Sequence, residues 1–515
     1  MGLFLVTGCL IIVILMYFFN NPLKHSSKFM WKRFFTWFPL GMSYAFLYMA
    51  RYNLNVSKTA LGSLMSNQDF GTIFFWGATA YATSFVLNGP LVDRMGGKKG
   101  ILVATVGSAL MNLLMGLVTY FYMIGELKSH VVLIYSLIYS VGMFFQSFGG
   151  VSIIKIKAYW FHVRERGVFG AIFGTLISVG MYFAFDWGDV VAQSAKLHPD
   201  RPLNAIQSFI RSAFFVETHQ IDSVWLIFVV PAILLLFWAF VDLLVLKDSP
   251  LHAKFADFDT GCTPANQQPD DSSSILSILK TIFSNPIIYV IAAIDFSSGA
   301  IRNGIINWFP TFAQHAQTKN LEFYNGLSFF KENWGLILCL TGIFGGVSSG
   351  FISDHIFKSR RGPPTAINNI LLLIFITIMG VSIFNSPIIF GVSCTVIFLC
   401  GIGVHSLMSG TAAADFGGKK HSATAAGIVD GFSYLGSGVQ SLAIGYLSVK
   451  SWTYWPMFLA PFALLGLFLA AKIWTALPEA TKRYLLHVEK ISLVVANNNE
   501  KISVETSHEI SDVRI

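Results

Sequence analysis

The stretch Gly89-Pro-Leu-Val-Asp93-Arg94-Met-Gly96-Gly97-Lys98-Lys99-Gly100 closes one long apolar run, and Gly350-Phe-Ile-Ser-Asp354-His-Ile-Phe-Lys358-Ser-Arg360-Arg361-Gly362 closes another. Each sets an Asp four residues beyond a Gly, follows it with basic residues and ends on a Gly. The two aspartates stand 261 residues apart. One charged turn between apolar segments is ordinary; two copies at matching places in a chain are the trace of a duplication. Glycine lets helices approach closely, the basic residues hold the loop on one side of a membrane, and the Asp can pair with them or with a helix N-terminus. Asp93, Arg94 and Asp354 are therefore read as a latch that forms and breaks as two halves rock.

Outward from these loops, the composition is that of a chain dissolved in lipid. Of 515 residues, 54% are hydrophobic and 12% charged, and the mean hydropathy is +0.61. A helix needs roughly 20 apolar residues to cross a hydrocarbon core. Such runs fall at 35–57, 71–92, 100–122, 131–155, 166–185 and 222–246, then at 284–313, 333–352, 365–384, 386–408, 423–447 and 453–475. The short alternating segments of a membrane β-barrel are absent from the sequence. The reading is an all-α membrane protein of two six-helix halves related by a pseudo-twofold axis. Its parts are an apolar segment and basic linker at 1–34, halves at 35–246 and 284–476, a cytoplasmic linker at 247–283, and a disordered cytoplasmic tail at 477–515.

The net charge of +8 is no nucleic-acid footprint, because Lys and Arg gather at the ends of apolar runs: Arg94/Lys98/Lys99, Lys155/Lys157/Arg164/Arg166, Lys247/Lys254/Lys280, Lys358/Arg360/Arg361 and Lys419/Lys420. These are alternate loops, so the positive-inside rule puts them and the C-terminus in the cytoplasm. The loop at 186–221 also carries Lys196, Arg201 and Arg211, but long loops count little toward orientation. Residues 2–19 form an extra apolar run that either spans or lies in the interface; basic residues follow rather than precede it, unlike a secretory signal. Cys9, Cys339, Cys394 and Cys400 sit in apolar runs and Cys262 in a polar loop, which suggests neither a disulfide framework nor a metal site.

Two arginines interrupt equivalent runs: Arg51 in Tyr44-Ala-Phe-Leu-Tyr48-Met-Ala-Arg51-Tyr52-Asn53, and Arg302 in Ala300-Ile-Arg302-Asn303-Gly304-Ile-Ile-Asn307-Trp308. An Arg at bilayer depth costs at least about 2.5–3.5 kcal/mol, so it persists where it faces protein or a water-filled cavity. Brought together by the pseudo-twofold, the two make a dianion site, since the guanidinium fork binds phosphate or carboxylate in paired hydrogen bonds and keeps its charge when buried. Two carboxylates lie nearby in sequence. Asp295, seven residues before Arg302 and on the same helix face, and Asp430 on the eleventh run either pair with an arginine or titrate as coupling groups. Pairing is favoured, because an unpaired buried charge is the costlier state.

With these residues in view, the chain resembles the organophosphate:phosphate antiporters of the major facilitator superfamily, the glycerol-3-phosphate and hexose-phosphate transporters, over roughly residues 36–475. The likeness rests on Arg51-Tyr-Asn, on Phe145-Gln146, Trp160 and Glu165-Arg166-Gly167, on Arg302 through Asn307-Trp308-Phe-Pro310-Thr311, on Ser353-Asp354 to Arg361-Gly362, and on Thr424-Ala-Ala-Gly427 leading to Tyr434-Leu-Gly436. It implies the major facilitator fold and exchange of a phosphorylated metabolite for inorganic phosphate by alternating access. Arg51 and Arg302 would hold the phosphate, and Tyr44, Tyr48 and Tyr434 would frame it. Two positions depart from glycerol-phosphate transporters: Phe85 stands where they carry a Lys, and Ile177 where they carry a His.

The expected partners are a small anionic substrate, inorganic phosphate and the bilayer of a plasma or inner membrane. No nucleic acid, cofactor or metal is called for, and the chain is expected to act as a monomer. No nucleophile and base, Gly-rich phosphate loop or metal cluster appears at useful spacing, so it does not read as an enzyme. A proton-coupled symporter of another small organic anion or sugar and a non-transporting phosphate-ester sensor are the alternatives.

Overall fold

The computed structural model describes residues 2–162, 165–199, 201–256 and 286–476. Most of the expected linker and the whole expected tail lie outside them. Sixteen α-helices make up the described chain. In order they are α1 (Gly2–Phe19), α2 (Ser27–Leu61), α3 (Asn67–Met95), α4 (Gly97–Met123), α5 (Val131–Trp160), α6 (Arg166–Tyr182), α7 (Gly188–Ala195), α8 (Ala205–Ala213) and α9 (Leu226–Val245). Then follow α10 (Pro286–Lys319), α11 (Leu321–Glu332), α12 (Trp334–Phe351), α13 (Gly362–Ser382), α14 (Pro387–His405), α15 (Ala413–Lys450) and α16 (Tyr454–Lys472). α7 continues α6 through a π turn at Phe183–Trp187.

Local chemistry sets many of the boundaries. Ser26 caps α2 by accepting from the Phe29 amide, and Ser66 forms a reciprocal capping box with Asp69 at the start of α3. α3 bends by 53° between Asn67–Phe85 and Leu87–Met95, as a Pro90 without an amide hydrogen requires of the turn before it. Ser409 on the π turn Ser406–Ala412 donates to Asp430 at 2.8 Å. A straight helix would hold those residues about 30 Å apart, so the chain folds back between them.

Among the described residues, eight helices are long and apolar enough to cross a membrane. α2, α10 and α15 fall short because they carry the polar residues of the bundle centre: lipid selects apolar side chains on outer helices, and the middle must be read from the exceptions. α2 packs on α6 and α9 within the first half, while α13 packs on α14 and α16 within the second. The halves meet where α3 lies along α15 and α6 along α12. Polar contacts between described residues of the two halves run from the bundle centre to the end opposite the basic loops. Asn55 Nδ2 donates to Asn307 Oδ1 (3.1 Å) and Gln314 Nε2 to the Thr59 carbonyl (2.7 Å). The Asp186 carboxylate accepts from the Gly335 and Leu336 amides at the start of α12 (2.8 and 3.2 Å), where the helix dipole favours negative charge.

The run at 2–19 is a helix, and it is tied to the bundle through buried polar groups. Arg33 Nε donates to the Tyr17 hydroxyl at 3.0 Å, and that hydroxyl donates to the Met30 carbonyl at 2.7 Å. The Arg33 guanidinium also grips both oxygens of Glu165 at 3.0 Å. His25 lies 3.7 Å from the same carboxylate; burial first, and then the Arg33 charge, hold its imidazole below the usual histidine range. Breaking a buried pair strands a charge, so Arg33→Leu and Glu165→Leu should each cost about 3–5 kcal/mol, with the double replacement costing less than their sum. Unfolding of the purified protein in SDS measures this, and additive costs would contradict it.

Candidate functional site

α2 and α10 cross near the pseudo-twofold axis, and each presents one face to the centre. On α2, Tyr44, Tyr48, Tyr52 and Asn55 follow helical spacing, with ring centroids 5.5 Å apart for Tyr44 and Tyr48 and 6.1 Å for Tyr48 and Tyr52. On α10, Asn303 and Asn307 lie one turn apart. The faces are stitched together by Tyr52 donating to Asn303 (3.1 Å) and by the Asn55–Asn307 bond. Buried at 2% exposure, Asn55 in its Asn-Val-Ser sequence serves the interior and is no glycosylation acceptor.

Arg51 is 0% exposed. Its Nε donates to Gln146 Oε1 of α5 at 2.8 Å and its Nη1 to the Tyr434 hydroxyl of α15. The guanidinium carbon lies 4.8, 4.4 and 5.4 Å from the ring centres of Tyr48, Tyr81 and Tyr434, distances at which aromatic faces stabilise a cation. Its Nη2 is buried without a partner. Arg302 is 7% exposed and forms no hydrogen bond or ion pair among the described residues; its Nε is buried and unpaired. Tyr48, Tyr52 and Tyr434 lie within electrostatic reach of both arginines. Arg51 thus sits in an aromatic cage and Arg302 lies within electrostatic reach of the same tyrosines; two buried cations with open donors suit an anion with several acceptor oxygens.

The favoured pairing of Asp295 with Arg302 does not form. Asp295, 0% exposed, accepts from His405 Nδ1 at 3.0 and 3.2 Å, and the Nε2 of that ring lies 3.6 Å from Asp430. The reason is reach: α14 passes close beside α10, with Gly401 set where an added Cβ would stand 3.3 Å from Arg302 Cβ, and this brings His405 onto the same carboxylate. The sequence reading does not single out His405. Its signal was a lone ionisable residue near the end of the run 386–408. Asp295, His405 and Asp430 also have ligand atoms within 4.8 Å of one another.

The two loop aspartates close within their own halves. Asp93 meets Lys155 of α5 at 2.8 Å and Asp354 meets Arg361 at 2.6 Å, while Arg94 is exposed and takes no part in either pair. Phe85 packs edge-on against Tyr81 at 4.9 Å, so an aromatic wall occupies the place of the family lysine. Ile177 is half-buried, and the side chain of Thr424 lies outside the described ones.

Residues 34–439 match the sequence profile of the Major Facilitator Superfamily. The chain belongs to that superfamily. It is a multi-pass integral membrane protein and not an enzyme. It is 23% identical over 413 residues to the glycerol-3-phosphate transporter of Bacillus subtilis (strain 168), covering 78% of this chain and 83% of the relative. A protein of Chlamydia trachomatis serovar D named as a probable hexose phosphate transport protein is 20% identical over 493 residues, covering 90% of this chain and 96% of that one. Among solved structures, a bacterial homologue of the human lysosomal transporter Spinster, in an inward-facing and unoccupied conformation, superposes with a TM-score of 0.64 at 15% identity, covering 88% of this chain and 98% of that one. It shares the fold.

The site depends on α10 and α15 approaching closely. A Cβ at Gly299 would fall 2.0 Å from the Ser433 carbonyl oxygen, and one at Gly436 would fall 2.0 Å from that of Phe296. Backbone cannot swing aside as a side chain does, so Gly436→Val should cost about 2–3 kcal/mol or more. Gly427→Ala, whose new Cβ meets among the described residues only Phe85 at 3.8 Å, should stay within about 0.5 kcal/mol. Thermal unfolding in detergent measures both; equal effects would contradict this packing.

Proposed function

We propose that this protein exchanges a phosphorylated small metabolite, a sugar phosphate or a glycerol phosphate, for inorganic phosphate by alternating access. The observation that carries the reading is the pair of buried arginines with unpartnered donors, Arg51 Nη2 and Arg302 Nε, facing the same tyrosines. A charge left unpaired in a low-dielectric interior is expensive unless a counter-charge arrives, and a phosphate monoester brings about −1.5 to −2 at neutral pH. In this reading Arg51 and Arg302 hold the phosphate, Tyr44, Tyr48 and Tyr434 frame it, and the relatives that carry phosphate esters support the substrate class.

Exchange follows from electrostatics. With the site empty, two like charges face each other and closure around them is unfavourable; with phosphate bound they are nearly cancelled and the carrier can close and reopen on the other side. The halves at 35–246 and 284–476 would rock about the midplane, the 247–283 segment linking them in the cytoplasm. For the opposite opening the Asn55–Asn307 and Asp186–α12 contacts must part, and the Asp93–Lys155 and Asp354–Arg361 loops would steady each half. With the basic loops and the C-terminus in the cytoplasm, the protein would work as a monomer in a plasma or inner membrane.

Proteoliposomes preloaded with inorganic phosphate test this, with labelled phosphate and a panel of glycerol and hexose phosphates outside. Internal phosphate should speed uptake at least tenfold. Arg302→Lys should abolish that counterflow, because a lysine offers a point charge in place of a planar fork. Folded protein without flux for any phosphate, or an unaffected Arg302→Lys variant, would sink the reading.

A further inference from the structure

Arg302 is unpaired although a fully buried carboxylate, Asp295, lies two helical turns away on the same face of α10. What keeps Asp295 off Arg302 is His405, whose Nδ1 is 3.0 Å from one Asp295 oxygen and whose Nε2 is 3.6 Å from Asp430. A neutral imidazole has one N–H and one lone pair, so a ring facing a carboxylate with each nitrogen would turn a lone pair on one of them. Asp295 is within hydrogen-bond distance of one ring nitrogen and Asp430 within ion-pair range of the other, so a proton on either nitrogen has a carboxylate to face. A metal ion, by contrast, would take one nitrogen of the ring and gather both carboxylates on that side.

Among the described residues, the charges around this ring come from two helices. α10 supplies Asp295 and, beyond it, Arg302, while α15 supplies Asp430, which also takes the Ser409 hydroxyl at 2.8 Å. α12 and α13, packed on the same stretch of α14 at Gly403, present Ser349 and Asn368, which do not titrate. Tyr44 of α2 lies within electrostatic reach of Asp430. His405 ends α14 where the π turn Ser406–Ala412 begins, a distortion that re-aims side chains and recurs at functional sites.

We infer that His405, clamped between Asp295 and Asp430, carries one proton in company with each phosphate ester and so lets the protein perform net proton-coupled uptake beside exchange. With the proton on His405, both carboxylates are occupied and Arg302 is left open for phosphate. When phosphate and proton have left on the inner side, Asp295 is released to pair with Arg302, the arginine charge is cancelled, and the empty carrier can return. Proton and phosphate therefore favour one another's binding, as linkage requires of two ligands that select the same state. This rests on the phosphate-ester reading above, and the experiment separates the two.

The full-length protein is reconstituted and counterflow of labelled inorganic phosphate is measured first, at equal pH on both sides. Net uptake into phosphate-free vesicles follows, with the outside acid and pyranine inside. Wild type should show net uptake raised at least tenfold by the gradient, collapsed by an uncoupler and accompanied by internal acidification. His405→Gln, whose amide still donates to Asp295, and Asp295→Asn, which removes the competing carboxylate, should keep counterflow within about threefold, showing that they fold. Both should lose the response to the gradient. Intact wild-type counterflow without any effect of the gradient, or a gradient response surviving in both variants, overturns the proton site. Net uptake lost to EDTA and restored by a divalent cation overturns it in favour of a metal. Absent wild-type counterflow overturns the phosphate reading and this inference with it.

Discussion

The guanidinium of Arg302, buried with its Nε unpaired, is the constraint around which the rest of the bundle is arranged. A cation in that setting carries a large desolvation penalty, and the structure lowers it by indirect means. Tyrosines of α2 and α15 lie within electrostatic reach of it, a nearby carboxylate is tied up by His405, and the second arginine is already partly satisfied by Gln146 and Tyr434. A protein that needed only stability would have let Asp295 close on Arg302.

The same constraint explains why the central helices are the polar ones. α2, α10 and α15 carry asparagines, serines and glutamines that bond across helices, because in lipid a polar group must find its partner inside the protein. Those bonds join the halves from the centre to the end opposite the basic loops. The outer helices contribute partners such as Gln146 and Asn112 but stay apolar enough overall that α4, α5, α9, α12, α13, α14 and α16 pass the length and hydropathy requirement of a span.

This division sets what the sequence could reveal. The duplicated Asp93 and Asp354 loops and the runs of apolar residues disclose the architecture, since lipid imposes length and composition directly. Run ends are less legible: helix α2 spans Ser27–Leu61 against an apolar run at 35–57, because the helix continues into the interface after hydrophobicity has stopped. Arg51 and Arg302 are legible as polar exceptions on equivalent runs. The Asp295–His405 contact is not, since it depends on how closely α14 passes α10 and on the π turn after His405, which no residue spacing announces. The loop aspartates show the same limit: their pattern is plain, but that each bonds within its own half follows from the positions of Lys155 and Arg361 in space.

The most direct test of the account is a cryo-EM structure of the protein saturated with a phosphate ester such as glycerol 3-phosphate. The account predicts phosphate density within hydrogen-bond reach of both Arg51 and Arg302, with Tyr434 beside it and Asp295 still on His405. Density elsewhere in the bundle with Arg302 unpaired, or Arg302 turned onto Asp295 while the ester is bound, would contradict it.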